Sequence, residues 1–338
     1  MDLCLNLLKS EPEKNLVFSS VNVEHAFAIL ATAAANKTRE DILKMTSQAD
    51  IATTAHRVKS LESLSSVQLD SKMFTCFQPK SEFWKTHFTT ASHGLVDFTD
   101  PKTADEINSW IEKSTKNMIS KLVDASDLDS LTRMILVSAI FFKGSWETPF
   151  RRTFEGAFNG SKQQVKYMQH NFKNITYNES GEFQAISLPY ANDGLKMTVL
   201  LPKSDLSSFG VSLNASKLKE IFAGMRSARE VNFQMPKFSI ESELDLKSIF
   251  EQLGFGHVFT AASDDYSNLT DESVFLSMAR HKAKIEVNEE GTVAAAATVA
   301  KIMLKMCVIP IEFVCDRPFL YFIRKEDEVL FAGRFVKP

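Results

Sequence analysis

Hydrophobic residues follow two different spacings along the chain. Up to about residue 125 they recur every three or four positions, which places them on one face of a helix. The helices predicted from this spacing cover residues 1–10, 24–34, 39–45, 80–87 and 102–116. Thr38 is expected to cap the third of these helices, and Thr103 with Glu106 to form a capping box on the fifth.

Beyond this point the pattern becomes that of β-strands. Residues 134–142 form a nearly continuous apolar run, which is typical of a strand buried on both faces. Shorter β-rich stretches, several of them alternating, occur at 195–201, 231–235, 282–287, 308–314, 319–323 and 329–335. Helices followed by strands, with no linker or internal repeat, predict a single α+β domain over residues 1–338.

Composition and charge exclude several classes of function. The chain has 338 residues and a net charge of −3, so we expect no general affinity for nucleic acid or for anionic membranes. No apolar run is long enough for a transmembrane helix. The motifs of hydrolases and of nucleotide-binding enzymes are missing, and the histidines lack metal-ligand spacing. Neither an enzyme nor a cofactor is therefore expected.

The cysteines and the N-glycosylation sequons do not decide whether the protein has a disulfide or in which compartment it is found. Cys4, Cys76, Cys307 and Cys315 lack zinc or redox spacing, so free thiols are the simpler interpretation, with a bridge between the last two as the alternative. The first residues lack the basic start and cleavage site of a signal peptide. Possible N-glycosylation sequons suit secretion instead and lie at Asn36, Asn159, Asn174, Asn178, Asn214 and Asn268. Localisation stays open between extracellular and cytoplasmic.

Residues 289–306 allow two interpretations. By propensity, the four consecutive alanines in this segment favour a helix. However, one set of alternate side chains is uniformly small, which a strand entering an already packed sheet would require. This small set comprises Thr292, Ala294, Ala296, Thr298 and Ala300, and the opposite set Val293, Ala295, Ala297 and Val299. The segment alone does not decide between a helix and an inserted strand.

Several blocks of the sequence resemble one family. Residues 281–298, read as His-Lys-Ala-Lys-Ile-Glu-Val-Asn-Glu-Glu-Gly-Thr-Val-Ala-Ala-Ala-Ala-Thr, closely resemble the proximal hinge of inhibitory serpins. Residues 316–323 and 331–335 resemble the strand after the reactive loop and the C-terminal signature of that family. Further similar blocks lie at 96–98, 107–110, 136–146, 186–190, 197–202 and 235–241. The resemblance implies a monomer with helices packed on three β-sheets and an exposed reactive-centre loop at about 291–309.

The polar cluster that holds the main sheet of serpins closed departs from its usual pattern in this chain. The family's Phe-Ser-Pro-x-Ser is Phe18-Ser19-Ser20-Val21-Asn22, and the usual Asn of the central strand is Ser138. With His281 as the third member, we expect Asn22 and Ser138 to preserve the hydrogen bonding by exchanged roles. Trp146, at the turn that leaves the central strand, is predicted to support the same sheet.

The resemblance further implies suicide inhibition of a protease. The protease cuts the loop as a substrate, and the freed hinge enters the sheet before the acyl-enzyme is hydrolysed. Family inhibitors place the scissile bond fourteen residues after the hinge glycine, which from Gly291 gives Lys305–Met306. The hinge comprises Glu289, Glu290, Gly291, Thr292, Val293, Ala294, Ala295, Ala296, Ala297 and Thr298, and Met303 with Leu304 are neighbouring specificity positions. A lysine before the bond predicts trypsin-like serine proteases as targets.

Alternatives at this loop stay open. If the scissile bond lies one residue earlier, Leu304 is the residue before it, which favours chymotrypsin-like targets. Lys301 is a second basic residue after which a protease could cut. Leu304 also suits papain-like cysteine proteases such as cathepsins, and a non-inhibitory serpin is a further alternative. Cys307 would lie just past the bond, where oxidation would block the loop. Because residues 46–71 are few for the family, the helix that carries the heparin site in some serpins is expected to be missing or reduced, and heparin is not expected to activate this chain.

Overall fold

The computed structural model describes residues 1–10, 12–46, 51–81, 83, 92–160, 164–260, 265–290 and 309–338. By their contacts these residues divide into two compact units. The first unit lies within residues 1–10, 18–142 and 241–284, and the second within residues 11–17, 143–240 and 285–338. The chain passes from one unit to the other several times, so each unit is built from segments distant in sequence.

Most of the described helical residues precede residue 115, and most of the described strand residues follow residue 133. The helices are α1 (Asp2–Lys9), α2 (Ser20–Ala33), α3 (Asn36–Met45), α4 (Ile51–Glu62), α5 (Thr103–Ser114), α6 (Leu206–Ser212), α7 (Ala215–Ala223) and α8 (Leu246–Phe250). The strands are β1 (Leu16–Phe18), β2 (Val67–Thr75), β3 (Ser92–Leu95), β4 (Met134–Phe142), β5 (Arg152–Ala157), β6 (Gln164–Glu179), β7 (Phe183–Pro189), β8 (Leu195–Pro202), β9 (Arg226–Pro236), β10 (Phe238–Asp245), β11 (Leu276–Val287), β12 (Ile311–Val314), β13 (Phe319–Lys325) and β14 (Glu328–Phe335).

The first unit is built around a five-stranded sheet in the order β10-β11-β4-β2-β3. All nine residues of β4 are buried, as predicted, because both faces of this strand are covered. On one face Ile107 and Ile111 of α5 pack in an apolar cluster with Ile135 and Val137. The other face contacts α2, which is buried along its whole length. The centre of this sheet is therefore closed on both sides.

The second unit contains a nine-stranded sheet. Its order is β1-β14-β13-β8-β7-β6-β9-β12, with β5 paired to β6 beside that path. The long β6 pairs with β5 and β9 over residues 164–177 and with β7 over its last residues. Because β6 pairs with β5 and β9 on one part of its length and with β7 on the other, the described strands form two hydrogen-bonded sheets where three were predicted, and the larger sheet is continuous through β6.

Gly333 explains one block of the resemblance. A Cβ atom at this position would lie 2.3 Å from the Leu16 carbonyl oxygen and 2.4 Å from the Tyr321 hydroxyl oxygen. The same hydroxyl donates to the Leu16 carbonyl at 2.9 Å. A side chain at position 333 would therefore displace the bond that ties β13 to β1.

Three predictions about the helices are wrong in detail. α3 begins at Asn36, so Thr38 lies inside its first turn and its hydroxyl accepts from the Asp265 backbone N–H instead of capping the helix. The capping box is also wrong, because Lys102 is the N-cap residue of α5 and the Thr103 hydroxyl donates to the Asp97 carbonyl. Finally, α4 fills residues 51–62, where a missing or reduced helix was expected.

Candidate functional site

The predicted loop leaves and rejoins described structure within the second unit. β11 ends at Val287, and residues 288–290 follow it. Residues 291–308 lie outside the described part of the chain. They include the predicted bond Lys305–Met306, its neighbours and the hinge from Gly291 onward. The flanking residues can nevertheless be compared with the predictions directly.

The N-terminal end of the loop is held at its backbone. The Trp146 indole N–H donates to the Asn288 carbonyl at 2.7 Å, and the Phe150 backbone N–H donates to the Glu289 carbonyl at 3.0 Å. The Trp146 ring stacks on Tyr190 with ring centroids 4.5 Å apart, which fixes the direction of its N–H. Trp146 therefore lies at the start of the loop and holds its backbone.

Glu289 adds an ionic contact at the same place. Its carboxylate pairs with the Lys237 ammonium, and both side chains are partly buried. Burial by itself would raise the pKa of Glu289, but the hydrogen bond and charge of Lys237 outweigh it and hold that pKa below its ordinary value. The carboxylate is therefore ionised at neutral pH and restrains the first residues of the hinge.

The C-terminal end of the loop enters the sheet of the second unit. β12 pairs in parallel with β9, with Ile311 opposite Val231 and Val314 opposite Gln234. The buried ring of Phe313 meets Phe233 edge to face, with ring centroids 5.2 Å apart. Ile309, just before this strand, is 91% exposed. Both ends of the predicted loop are thus fixed within one unit.

His281 is the centre of the polar cluster in the first unit. Its ring is fully buried, its Nε2 accepts from the Ser19 backbone N–H at 3.1 Å, and its Nδ1 lies 2.9 Å from the Ser138 hydroxyl. Since Nε2 is an acceptor, the ring proton is on Nδ1 and Ser138 accepts it. Burial lowers the pKa of His281 to about 3, so the ring is neutral at pH 7.

Asn22 completes the cluster on the α2 side. Its Nδ2 donates to the Ala139 carbonyl of β4 at 3.2 Å, and its Oδ1 accepts from the Ser71 hydroxyl of β2 at 3.1 Å. The Ser138 hydroxyl, in turn, is hydrogen-bonded to the His281 ring. The buried polar groups at both exchanged positions are hydrogen-bonded, which supports the hypothesis of exchanged roles. Ser71 and the Ala139 carbonyl were not foreseen, because neither stands out in the sequence.

A row of cations on β11 was also missed. Arg280 donates to the Leu122 carbonyl, Lys282 to that of Lys121, and Lys284 to that of Met118. Glu241 on β10 pairs with both lysines, at 3.0 and 3.5 Å. The segment after α5 is therefore tied to the strand that leads into the hinge. The alternation Arg280, Lys282, Lys284 was the available signal.

The remaining predicted sites differ in their surroundings. Asn36, Asn178 and Asn268 donate side-chain hydrogen bonds, Asn214 caps α7, and Asn159 and Asn174 are exposed with φ of 53°.

Cys4, Cys76 and Cys315 are free thiols, and burial raises the pKa of Cys4 to about 12. Within the described ranges, no three His, Cys, Asp or Glu side chains are arranged to hold a metal ion. Among the helices described, none has the length and hydropathy needed to cross a membrane.

Comparisons with known proteins agree along the whole chain. The family model for serpins (serine protease inhibitors) matches residues 1–338. Plasminogen activator inhibitor 1 of Mus musculus is 32% identical over 365 residues, which cover 98% of this chain and 89% of the relative. Serpin B6 of Pongo abelii is 36% identical over 248 residues, which cover 70% of this chain and 66% of the relative.

Solved structures give the same fold. Native protease nexin-1, determined with heparin, superposes with a TM-score of 0.86 at 26% identity, covering 100% of this chain and 98% of the other. Uncleaved ovalbumin reaches a TM-score of 0.87 at 24% identity, which bears on the fold alone. The family model, the relatives and the fold point the same way. The chain belongs to the serpin family of protease inhibitors and has the α+β fold of that family.

Proposed function

We propose that this serpin is a monomeric suicide inhibitor of trypsin-like serine proteases, which cut it at Lys305–Met306. The observation that carries the proposal is the fixed start of the loop, where Trp146 and Phe150 hold the backbone of residues 288–289. Gly291 follows these held residues two positions later, and the family's fourteen-residue count from it ends at Lys305.

The chemistry is an interrupted proteolysis. The serine hydroxyl of the protease attacks the Lys305 carbonyl carbon, and its proton passes through the catalytic histidine to the leaving amine. The peptide bond breaks, Met306 gains a free amino group, and Lys305 remains joined to the protease as an ester. An acidic specificity pocket would hold the Lys305 ammonium during attack. Inhibition requires only that water be kept from this ester.

The freed hinge would enter the first unit's sheet beside β11. This strand runs directly into the hinge, so a segment that folds back after Glu290 pairs with β11 without crossing another strand. Its neighbour β4 is held to it by the Ser138–His281 hydrogen bond, which must break when the sheet opens. Because β11 and β4 are neighbours in the sheet, insertion also breaks the backbone hydrogen bonds between them, and the inserted strand would form new ones with both strands, each stabilising by about 1 kcal/mol.

Side-chain size offers a direct test of insertion. Ala296 belongs to the small set that would meet a packed layer, so Ala296→Glu is expected to block insertion, whereas Ala295→Glu on the opposite set is the matched control, and neither change adds a trypsin site. After incubation with trypsin, the parent and Ala295→Glu should give a complex that survives SDS. Ala296→Glu should be cut without forming it. Complexes of equal yield from both glutamate variants would reject strand insertion.

Leu304 supports a second class of target. Papain-like cysteine proteases favour a bulky apolar residue one place before the cut residue, and Leu304 precedes Lys305. Papain therefore belongs in the same assay. Heparin belongs there too, because protease nexin-1 was determined with heparin and α4 fills the stretch that was expected to lack a helix. A faster reaction in the presence of heparin would identify heparin as a ligand of this serpin and would leave the proposed scissile bond unchanged.

A further inference from the structure

A polar cleft of about 350 Å³ opens on the sheet of the second unit. It is lined by Arg151, Arg152, Gln169, His170, Asn171, Asn232 and Pro310. Pro310 stands one residue before β12, so the cleft borders the point where the predicted loop rejoins the sheet. The expected inhibitory mechanism uses none of the other six residues.

Two arginines of this cleft make no ion pair within the described part of the chain. Arg151 and Arg152 are exposed and line the cleft, and neither guanidinium pairs with any described carboxylate. Two carboxylates border the cleft and keep their negative charge: Glu230 on β9 accepts from Asn171 at 2.7 Å, and Glu312 on β12 accepts from Asn232 at 2.8 Å. The guanidinium donors of both arginines are unused, so they can bind an anion despite these neighbouring charges.

His170 lies beside these arginines in an unusual state. Its side chain is nine-tenths buried, and its ring packs on Phe172 with ring centroids 4.6 Å apart. Its Nδ1 is buried without a hydrogen-bond partner among the described residues. Burial and, to a smaller extent, the charge of Arg151 lower the pKa of His170, so the ring is neutral at pH 7.

We propose that this cleft, the arginine cleft, binds an oxyanion, which is a carboxylate, sulfate or phosphate group held by the guanidinium groups of Arg151 and Arg152 beside the His170 ring. Guanidinium groups form strong, often paired hydrogen bonds with such anions. A bound anion would offset the charge of Arg151 and favour a proton on His170, taken from solvent. Binding therefore tightens as the pH falls. The anion comes either from an acidic side chain of a docked protease or from a free ion.

Sulfate is the probe, exchanged for chloride at constant ionic strength while the His170 ring signal is followed by NMR from pH 4 to 8. Sulfate should raise the titration midpoint of His170 by about one pH unit. In Arg151→Gln/Arg152→Gln the midpoint should no longer respond to sulfate. In the control Lys37→Gln/Lys219→Gln, which removes equal charge from two exposed lysines, the response should remain. An unchanged midpoint in the parent, or an equal response in the arginine variant, overturns the proposal.

A second arm identifies the source of the anion and rests on the proposed function. The rate of complex formation with trypsin is compared between the parent and Arg151→Gln/Arg152→Gln. A roughly tenfold slower reaction of the variant, with competition by sulfate in the parent, assigns the anion to the docked protease. An equal rate, with the sulfate response intact, assigns the cleft to a free ion. The sulfate titration needs no protease, so its outcome does not depend on the inhibitory mechanism.

Discussion

The indole N–H of Trp146 donates to the backbone carbonyl of Asn288 at 2.7 Å, at the last residues described before the hinge. This bond joins a buried aromatic side chain to the start of a segment that must move when the serpin acts. The Trp146 ring is itself held between Tyr190 and Phe150. The hinge is therefore anchored by a group that cannot easily follow it, and releasing this anchor is expected to be one step of insertion.

Trp146→Phe tests that anchor, because it keeps an aromatic ring and removes the donor. Loss of the indole hydrogen bond to the Asn288 carbonyl should lower the free energy of unfolding by about 1 kcal/mol. Inhibitory activity should also be lost faster on storage, since the hinge is less restrained. Thermal unfolding and residual inhibition measure the two effects. Trp110→Phe, at a partly buried tryptophan outside the predicted hinge and polar cluster, is the control, and equal behaviour of the two variants would refute the anchoring role.

Charge reversal tests the Lys237–Glu289 pair. Glu289→Lys and Lys237→Glu should each destabilise the protein, and the double variant should recover part of the loss, with a coupling free energy of about 0.5–1 kcal/mol because both groups keep some solvent contact. The lowered pKa of Glu289 means that this stabilisation is present above the ordinary glutamate pKa and is lost as the pH falls through the folded-state value. Urea denaturation at pH 7 and at acid pH provides the measurement. Additive single effects would show that the pair does not couple.

The loss of folding stability at acid pH should come in part from His281. Its pKa is about 3 when folded and about 6.5 when unfolded, so between these values the unfolded chain binds one more proton than the folded protein. Stability is therefore complete above pH 6.5 and falls with decreasing pH, by up to about 1.4 kcal/mol per pH unit for this group. His281→Gln should lose this part of the slope in urea denaturation. A slope unaffected by His281→Gln would contradict the assignment.

Asn22 and Ser138 can be tested by exchanging them. Asn22→Ser should remove the hydrogen bonds of the Asn22 amide to the Ala139 carbonyl and the Ser71 hydroxyl and cost about 1–3 kcal/mol. Ser138→Asn alone should crowd the fully buried His281 ring. The double exchange should be more stable than the sum of the single changes predicts. The hypothesis fails if Asn22→Ser alone leaves both the unfolding midpoint and the inhibition unchanged.

The local sequence pattern was enough to predict those secondary-structure elements whose surroundings are the same along their length. β4 was predicted residue for residue, because nine consecutive apolar side chains fit only a strand covered on both faces. β6 was missed, because its burial pattern breaks twice and Asn174 within it has a left-handed φ of 53°. The caps at Thr38 and Thr103 were wrong because distant or preceding backbone groups, which no local pattern contains, use those hydroxyls.

The residues of the candidate site could be identified from the sequence, but the contacts between them could not. Blocks of resemblance identified Asn22, Ser138 and His281, but the contact of Asn22 with Ser71 joins residues 49 positions apart and depends on how β2 meets α2. The pairing of Lys237 with Glu289 likewise depends on the course of the chain after β11. Pairwise contacts at such separations require the folded structure, whereas the residue types involved could be read from the sequence.

The bond that the protease cuts is the most direct measurement of the central claim. The serpin is incubated with trypsin, and the SDS-stable complex and the released peptide are analysed by mass spectrometry. We predict a peptide that begins at Met306 and an inhibitor fragment joined to the protease serine through Lys305. Lys305→Gln should slow complex formation with trypsin, and Lys301→Gln should not. A released peptide that begins elsewhere, or complete cleavage with no covalent complex, would contradict the proposed inhibition at Lys305–Met306.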